Sequence, residues 1–238
     1  VMDVDVLPVH TDAHGRMTGA ALDAALHEHE HDSVFAVVAT GGTTNAGVID
    51  ELDPIADVCQ ARGLWMHVDG AYGLAALCSS IVRDRFHGIE RADSFGVDPH
   101  KWLFAPYDSA ALIYRDPRPA AATHAQHGAY LDAVNRGDWN PSDYAYHLSR
   151  RARGLPLWFA LAVHGTDAHA EAIRRGIGLT RLAAARLSAI DEVSLVVQPQ
   201  LGVLLFRRAG WGRAEWGAWA HRVLGEGIAF VAPSTWKG

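Results

Sequence analysis

The chain has 238 residues, of which 49% are hydrophobic and 20% are charged, and its mean hydropathy is -0.01. These values are typical of a globular protein and exclude a disordered or fibrous one. The formal net charge of -6 argues against a phosphate backbone as partner, so we expect no nucleic-acid binding. No apolar run reaches the roughly 18 residues that span a bilayer, so we expect no membrane partner. Two cysteines, Cys59 and Cys78, are too few for a disulfide framework and indicate a reducing, cytoplasmic location.

Four apolar runs predict the strands of a sheet. They lie at residues 34–40, 64–68, 94–97 and 110–114, and we expect the last to run antiparallel to its neighbour. Between the first two runs, Asp53 and Pro54 predict the start of a helix with Asp53 as its cap, and Gly63 predicts its end. Strands that alternate with helices at this spacing indicate an α/β sheet that is buried on both faces.

The second half of the chain predicts a connector and a smaller domain. Residues 116–150 are polar with little periodicity, and a helix is predicted over 156–189 with a break near 176–178. Two strands, a helix and a terminal strand are predicted at residues 193–198, 202–207, 214–224 and 228–231. We therefore expect a large domain, a connector and part of a small α+β domain, over residues 1–155, 156–189 and 190–238.

Polar residues follow three of the predicted strands where each strand ends. They are Thr43 with Thr44, Asp69 with Ala71, and His100 with Lys101. Because ligands of open α/β sheets bind beyond the carboxyl ends of the strands, we expect these residues to share one site. A lysine that forms a Schiff base and an aspartate that keeps a pyridine nitrogen protonated are what pyridoxal phosphate requires. The alternatives are that Asp69 caps a turn and Lys101 is a solvated surface charge; we predict instead a lysine withdrawn from water.

Four segments carry a resemblance to a known family. They read TTNAGVIDELDPIADVC, WMHVDGAYG, ADSFGVDPHKW and RRARGLPLW, and the resemblance covers essentially the whole chain. This pattern resembles the group II pyridoxal-phosphate-dependent amino-acid decarboxylases, which include aromatic amino acid, glutamate and diaminobutyrate decarboxylases. The resemblance implies part of a fold type I large domain, part of a small α+β C-terminal domain, and a homodimer with its active site at the subunit interface. It also implies decarboxylation of a small-molecule L-amino acid to an amine and CO2.

The resemblance assigns roles to five residues. Lys101 matches the Schiff-base lysine, and Asp69 matches the partner of the pyridine nitrogen. Ala71 matches the small residue that packs on one face of the ring, and Thr44 matches a threonine that contacts the cofactor. His100 matches the histidine beside the lysine. The predicted catalytic residues are therefore Lys101, Asp69 and His100, and all five residues are predicted to bind the cofactor.

The chain also departs from the family pattern. Gly70 stands where the family often has alanine, and Asp98 stands where many members have an asparagine near the phosphate, so we do not predict Asp98 as a phosphate ligand. The family's phosphate cup, its ring-stacking histidine and the end of its small domain have no counterpart here. We interpret the chain as an internal fragment that binds the cofactor poorly alone. The family's loop tyrosine has three candidates that spacing does not separate: Tyr130, Tyr144 and Tyr146.

Other features suggest less specific roles. His27, His29 and His31 alternate with glutamates, but a spacing of two does not place side chains on one helix face, so we predict a solvated helix end and no metal site. An arginine cluster is compatible with an acidic ligand, and we favour a solvated or interface role; a tryptophan cluster is predicted to be packing. These clusters are Arg150, Arg151 and Arg153, and Trp211, Trp216 and Trp219.

Two other functions remain open at this point. One is a different fold type I activity, an aminotransferase or a decarboxylating aldehyde synthase, because the same lysine and aspartate serve all of them. The other is a non-catalytic, truncated chain.

Overall fold

A four-stranded, mostly parallel sheet organises the first part of the computed structural model, which describes residues 4–29, 33–126 and 140–236. The spatial order follows the chain: β1 is parallel to β2, β2 is parallel to β3, and β4 is antiparallel to β3. The strands are β1 (Ala36–Thr40), β2 (Trp65–Asp69), β3 (Ser94–Val97) and β4 (Ala111–Tyr114). All four predicted strands, and the antiparallel direction of the fourth, are confirmed. The predicted burial of the sheet on both faces is wrong, because Val38 of β1 and Leu112 of β4 are 62% and 52% exposed.

Two helices, α1 (Gly19–Glu28) and α2 (Leu52–Arg62), contribute to the core beside this sheet. Gly63 ends α2 in the left-handed conformation with φ +65°, as predicted. The predicted cap at Asp53 is wrong, because α2 begins at Leu52 and its N-cap residue, Glu51, makes no side-chain capping hydrogen bond. The carboxylate of Asp53 instead accepts a hydrogen bond from Arg91 at 2.6 Å.

Short helical segments fill the chain between the longer elements. Three 3-10 segments link β2 to β3, and a short helix and a further 3-10 segment lie in the polar region between β4 and the connector. They are Gly73–Cys78, Arg83–Phe86 and Ile89–Arg91, then α3 (Arg118–His124) and Pro141–Tyr144. The first segment packs Leu74, Ala75 and Ala76 into the core directly after the predicted site residues.

The connector is a long helix, α4 (Gly154–Leu187), that packs into the large core. Ile173 and Ile177 of α4 have no exposed surface. The predicted break near residues 176–178 is wrong: the helix is continuous there and is interrupted at Gly165, which takes φ +78°. Glycine tolerates that conformation because it has no Cβ.

The last part of the described chain contains a two-stranded antiparallel ladder and a helix: β5 (Val193–Leu195), β6 (Phe206–Arg208) and α5 (Arg213–Gly225). Both strands are shorter than predicted because the segment between them leaves the ladder and buries Leu201 completely in the large core. The predicted strand at 228–231 is wrong, since Ile228 and Phe230 are exposed and no ladder includes them in the described ranges. The three tryptophans pack against one another, as predicted.

Candidate active site

The carboxyl ends of β1, β2 and β3 lie side by side and are joined by backbone hydrogen bonds. Thr40, Asp69 and Gly96 are in register across the three strands. Beyond them, the N–H of Gly41 donates to the carbonyl of Asp69 at 2.7 Å, and the N–H of Asp98 donates to the carbonyl of Ala71 at 3.0 Å. The structure therefore brings the three polar loops predicted from the sequence to one edge of the sheet.

Asp69 is the last residue of β2, and its side chain is exposed. Its Oδ1 accepts a hydrogen bond from the N–H of Ala71 at 3.1 Å, which fixes the carboxylate over its own loop. His67 lies two residues earlier, on the same side of the strand. Burial lowers the pKa of His67, and the Asp69 carboxylate only partly opposes this effect. The imidazole of His67 also contacts the hydroxyl of Ser94 at 2.8 Å.

Lys101 lies in the turn that follows β3. Its Nζ pairs with Oδ2 of Asp98 at 2.9 Å, and its side chain is 44% exposed. The prediction of a lysine withdrawn from water is therefore wrong, because the turn carries the side chain to the surface and a carboxylate three residues earlier pairs with it. Asp98 is turned toward Lys101 and His100, with Nε2 of His100 at 3.9 Å from its Oδ2.

His100 is held by the loop that follows Lys101. Its Nδ1 lies against the carbonyl oxygen of Ser109, and the N–H of Ser109 points at the same nitrogen from 3.1 Å. The ring of Tyr107 meets the imidazole edge-on, with centroids 4.8 Å apart. The imidazole is consequently oriented from two sides, while the neighbouring lysine is not.

Thr44 and Ala71 complete the predicted set. The hydroxyl of Thr43 accepts a hydrogen bond from the N–H of Val48 at 3.1 Å and so belongs to the turn, whereas Thr44 is exposed at the sheet edge. Ala71 is partly buried between the loops. Gly70 beside it has a local reason to be glycine, because a Cβ there would lie 2.0 Å from Cγ of Leu74.

Sequence reasoning missed a group of aromatic and C-terminal residues that pack against this edge. Tyr72 stacks on Trp102 with centroids 4.9 Å apart, and its hydroxyl accepts a hydrogen bond from the N–H of Gly202 at 3.0 Å. Burial raises the pKa of Tyr72 to about 12, although the N–H of Gly202 acts in the opposite direction. The available signal was the position of each aromatic residue, directly after a predicted site residue.

The alternating histidines, the loop tyrosines and the arginine cluster are the remaining candidates from the sequence. In the described part of the chain, no three histidines, cysteines or acidic residues could hold a metal ion; His31 lies outside that part. Tyr130 also lies outside the described residues, whereas Tyr146 is exposed with its ring against His147. Arg151 and Arg153 both bind the carboxylate of Asp108, so these two arginines do hold an acidic group, one that belongs to the chain itself.

Comparison with known proteins identifies the class of this fold and site. Residues 1–209 match the family described as the pyridoxal-dependent decarboxylase conserved domain. The chain therefore belongs to the pyridoxal-dependent decarboxylase family, and the family predicted from the sequence is confirmed. None of the helices in the described ranges is both long and apolar enough to cross a bilayer.

Individual relatives agree with this assignment. The chain is 35% identical to an aromatic-L-amino-acid decarboxylase of Bacillus atrophaeus over 204 residues, which cover 84% of this chain and 42% of the relative. It is 35% identical to an acidic amino acid decarboxylase of Xenopus tropicalis over 198 residues, 81% of this chain and 39% of the relative. The chain thus spans less than half the length of these curated relatives.

A solved structure confirms the fold. The TDC of Oryza sativa, determined with PLP and tryptamine, superposes with a TM-score of 0.87 at 27% identity, over 98% of this chain and 51% of that one. The predicted class, part of a fold type I α/β large domain followed by α+β elements, is confirmed.

Proposed function

We propose that the protein, in its full-length form, is a pyridoxal-phosphate-dependent decarboxylase of L-amino acids that releases an amine and CO2. The observation that carries the proposal is the hydrogen bond between Asp98 and Ala71, which ties the loop of Asp69 to the loop of Lys101 at one sheet edge. Family membership and relatives that act on aromatic and acidic amino acids support the same chemistry.

The residues at this edge fit pyridoxal phosphate chemically. Asp69 offers a carboxylate that accepts a single hydrogen bond, from Ala71, among the described residues, so its second oxygen is available to hold a proton on the ring nitrogen. Ala71 leaves space for a flat ring, and the exposed Thr44 can donate to a ring oxygen. Lys101 is exposed enough for its amine to reach a carbonyl carbon. When bound, the cofactor supplies an electron sink for the bond that breaks at the substrate Cα.

The chain's own groups then perform three tasks. Asp69 keeps the ring nitrogen protonated, which sustains the electron sink during loss of CO2. Lys101 would hold the cofactor through its amine and, when free, would place that amine next to the reacting carbon. Asp98 pairs with that amine while it is free, at the 2.9 Å seen here. His100, fixed by Ser109, borders the lysine and shapes the space beside it.

The same proposal includes the organisation of the protein. We place the large domain at 1–155, the connector at 156–189 and part of the small domain at 190–238, because α4 packs into the large core and leads directly into β5. We also propose a homodimer in the cytoplasm. Two unpaired cysteines are compatible with a reducing compartment, and sedimentation of the full-length protein tests the dimer.

Reductive labelling tests the cofactor site. The sequence contains two lysines, Lys101 and Lys237. Borohydride reduction of the full-length protein with pyridoxal phosphate, followed by peptide mapping, identifies which lysine carries the cofactor. We expect the label on Lys101, its loss in Lys101→Arg, and its retention in the matched control Lys237→Arg. Absence of label from Lys101 in the full-length protein would favour a non-catalytic chain.

Product analysis tests the reaction. The full-length protein is incubated with aromatic, acidic and diamino L-amino acids, and CO2 and amine are measured together with keto acid, aldehyde and peroxide. Decarboxylation predicts equal amounts of CO2 and amine. Keto acid without CO2 would indicate an aminotransferase, and aldehyde with peroxide would indicate a decarboxylating aldehyde synthase.

A further inference from the structure

The loop of residues 104–110 holds the imidazole of His100 whichever way the ring is protonated. With a proton on Nδ1, the ring donates to the carbonyl of Ser109; without that proton, Nδ1 accepts from the N–H of the same residue. Ser109 is 3% exposed, so these two contacts with the imidazole lie away from solvent. Tyr107 covers the ring edge-on from the same loop. The position of this loop therefore sets the position of the imidazole.

Asp108 lies between Tyr107 and Ser109 and is the single charged residue of the loop. Its carboxylate accepts hydrogen bonds from Arg151 and from Nε of Arg153, the latter at 3.2 Å. Burial raises the pKa of Asp108, but its own N–H and the guanidinium groups of Arg153 and Arg151 outweigh this and leave the pKa below its ordinary value. The carboxylate is thus held in its charged form, anchored to the segment that enters α4.

This ion pair contributes little to the free energy of unfolding. The side chains of Arg151 and Arg153 are 75% and 36% exposed, and water screens the attraction between exposed charges. The geometric effect is larger, because two donors from one segment fix a carboxylate whose neighbours on both sides touch the imidazole. Backbone hydrogen bonds also hold this loop, from the N–H of Ala105 to the carbonyl of Pro99 at 3.0 Å and from the N–H of His100 to the carbonyl of Ser109 at 3.3 Å. Asp108 adds a charge-assisted anchor to them.

We infer that Asp108 is a positioning residue for His100: clamped by Arg151 and Arg153, it holds the loop through which Tyr107 and Ser109 orient the imidazole beside Lys101. The catalytic consequence of this inference rests on the proposed function, whereas the orientation of the ring does not. The ion pairs of Asp108 with Arg151 and Arg153 also link the segment before α4 to the candidate active site.

The test compares three variants of the full-length protein. Asp108→Asn removes the charge at nearly constant volume, and Asp108→Glu restores it. Asp116→Asn is the matched control, because Asp116 forms a similar pair with Arg118 at 2.6 Å that does not touch the site. The chain is labelled with 15N-histidine, and the His100 ring signals are assigned by their loss in His100→Gln. We expect Asp108→Asn to shift or broaden these signals, and Asp108→Glu and Asp116→Asn to leave them near their original positions.

Steady-state kinetics of the loaded enzyme provide the second readout. We expect Asp108→Asn to lower kcat about tenfold while KM changes by less than about twofold, because a displaced group beside the reacting atoms affects the reaction more than binding. Unchanged His100 signals and kcat in Asp108→Asn, or equal changes in Asp116→Asn, would overturn the inference. If Asp108→Asn does not fold, Arg153→Gln is measured in its place with the same expected result. A shift of the His100 signals in a protein that forms no amine would refute the proposed function and leave the positioning role supported.

Discussion

Gly73 is the position where a single methyl group should most disturb the base of the candidate site. It lies at the start of the 3-10 segment after β2, and a Cβ at this position would lie 2.0 Å from the carbonyl oxygen of Gly41 and 2.9 Å from Cδ1 of Leu201. Carbon and carbonyl oxygen normally approach to about 3.3 Å. Gly73→Ala must therefore displace the backbone by about 1 Å in a region where both glycines are buried.

The size of the effect follows from this overlap. Overpacking of a well-packed core costs about 1–3 kcal/mol, and a clash with backbone on one side and a fully buried leucine on the other places Gly73→Ala near the upper end. For a unit of 238 residues, about 3 kcal/mol corresponds to a decrease in Tm of about 6–12 °C. Urea denaturation followed by circular dichroism measures the free energy of unfolding.

Gly178→Ala is the matched control. Gly178 lies in α4, and a Cβ there would meet no atom within 4 Å. Alanine is favoured over glycine inside a helix by about 1 kcal/mol, so this variant should be slightly more stable than the wild type. The same chemical change is thus expected to have opposite signs at two glycines. A Gly73→Ala protein as stable as Gly178→Ala would refute the close approach of the two loops.

Two further substitutions test the core and its charge. Ile177→Ala should cost about 2–5 kcal/mol, because Ile177 is fully buried where α4 meets the large core, whereas the control Val163→Ala, at 72% exposure, should change stability by less than about 0.5 kcal/mol. Asp50→Asn should cost about 3 kcal/mol at neutral pH, because each carboxylate oxygen accepts a backbone N–H, from Met17 and from Thr40, at 2.7 Å. Burial raises the pKa of Asp50 in the folded state despite these two N–H groups. The contribution of Asp50 to the free energy of unfolding is therefore fully present below the pKa of the unfolded chain and decreases as pH rises through the pKa of the folded one. The stability difference between wild type and Asp50→Asn should therefore grow between neutral pH and about pH 4; a difference that shrinks on acidification would contradict this assignment.

Local pattern was sufficient for the sheet and for the location of the site. An apolar run such as Ala36–Thr40 indicates a strand of a parallel sheet, even though its central Val38 is 62% exposed, and polar residues directly after such runs lie at the carboxyl edge. Asp69 and Lys101 could be brought together on this ground alone. The predicted strand at 94–97 even has the observed bounds.

Long-range contacts explain what sequence reasoning missed. Aspartate is a common helix cap, but the carboxylate of Asp53 is bound by Arg91, 38 residues later in the chain. Asp108 is contacted by Arg151 and Arg153, which are 43 and 45 residues away. The break in α4 could not be located from composition, because glycine permits a left-handed backbone without requiring it. In the structure Gly165 takes φ +78°, whereas the helix is continuous around the fully buried Ile177.

The site combines a tightly packed backbone with exposed reactive side chains. The carboxylate of Asp69 and the amine of Lys101 are exposed, while Gly41 and Gly73 are buried and pack directly on each other. Displacing the Gly41 loop would strain its 2.7 Å hydrogen bond to the carbonyl of Asp69, so Gly73→Ala should weaken cofactor attachment without altering any group that touches the ring. Labelling of Lys101 by pyridoxal phosphate and borohydride measures this attachment. We expect slower labelling in Gly73→Ala than in Gly178→Ala at a temperature where both are folded. Equal rates would show that the packing of Gly41 against Gly73 does not position the site.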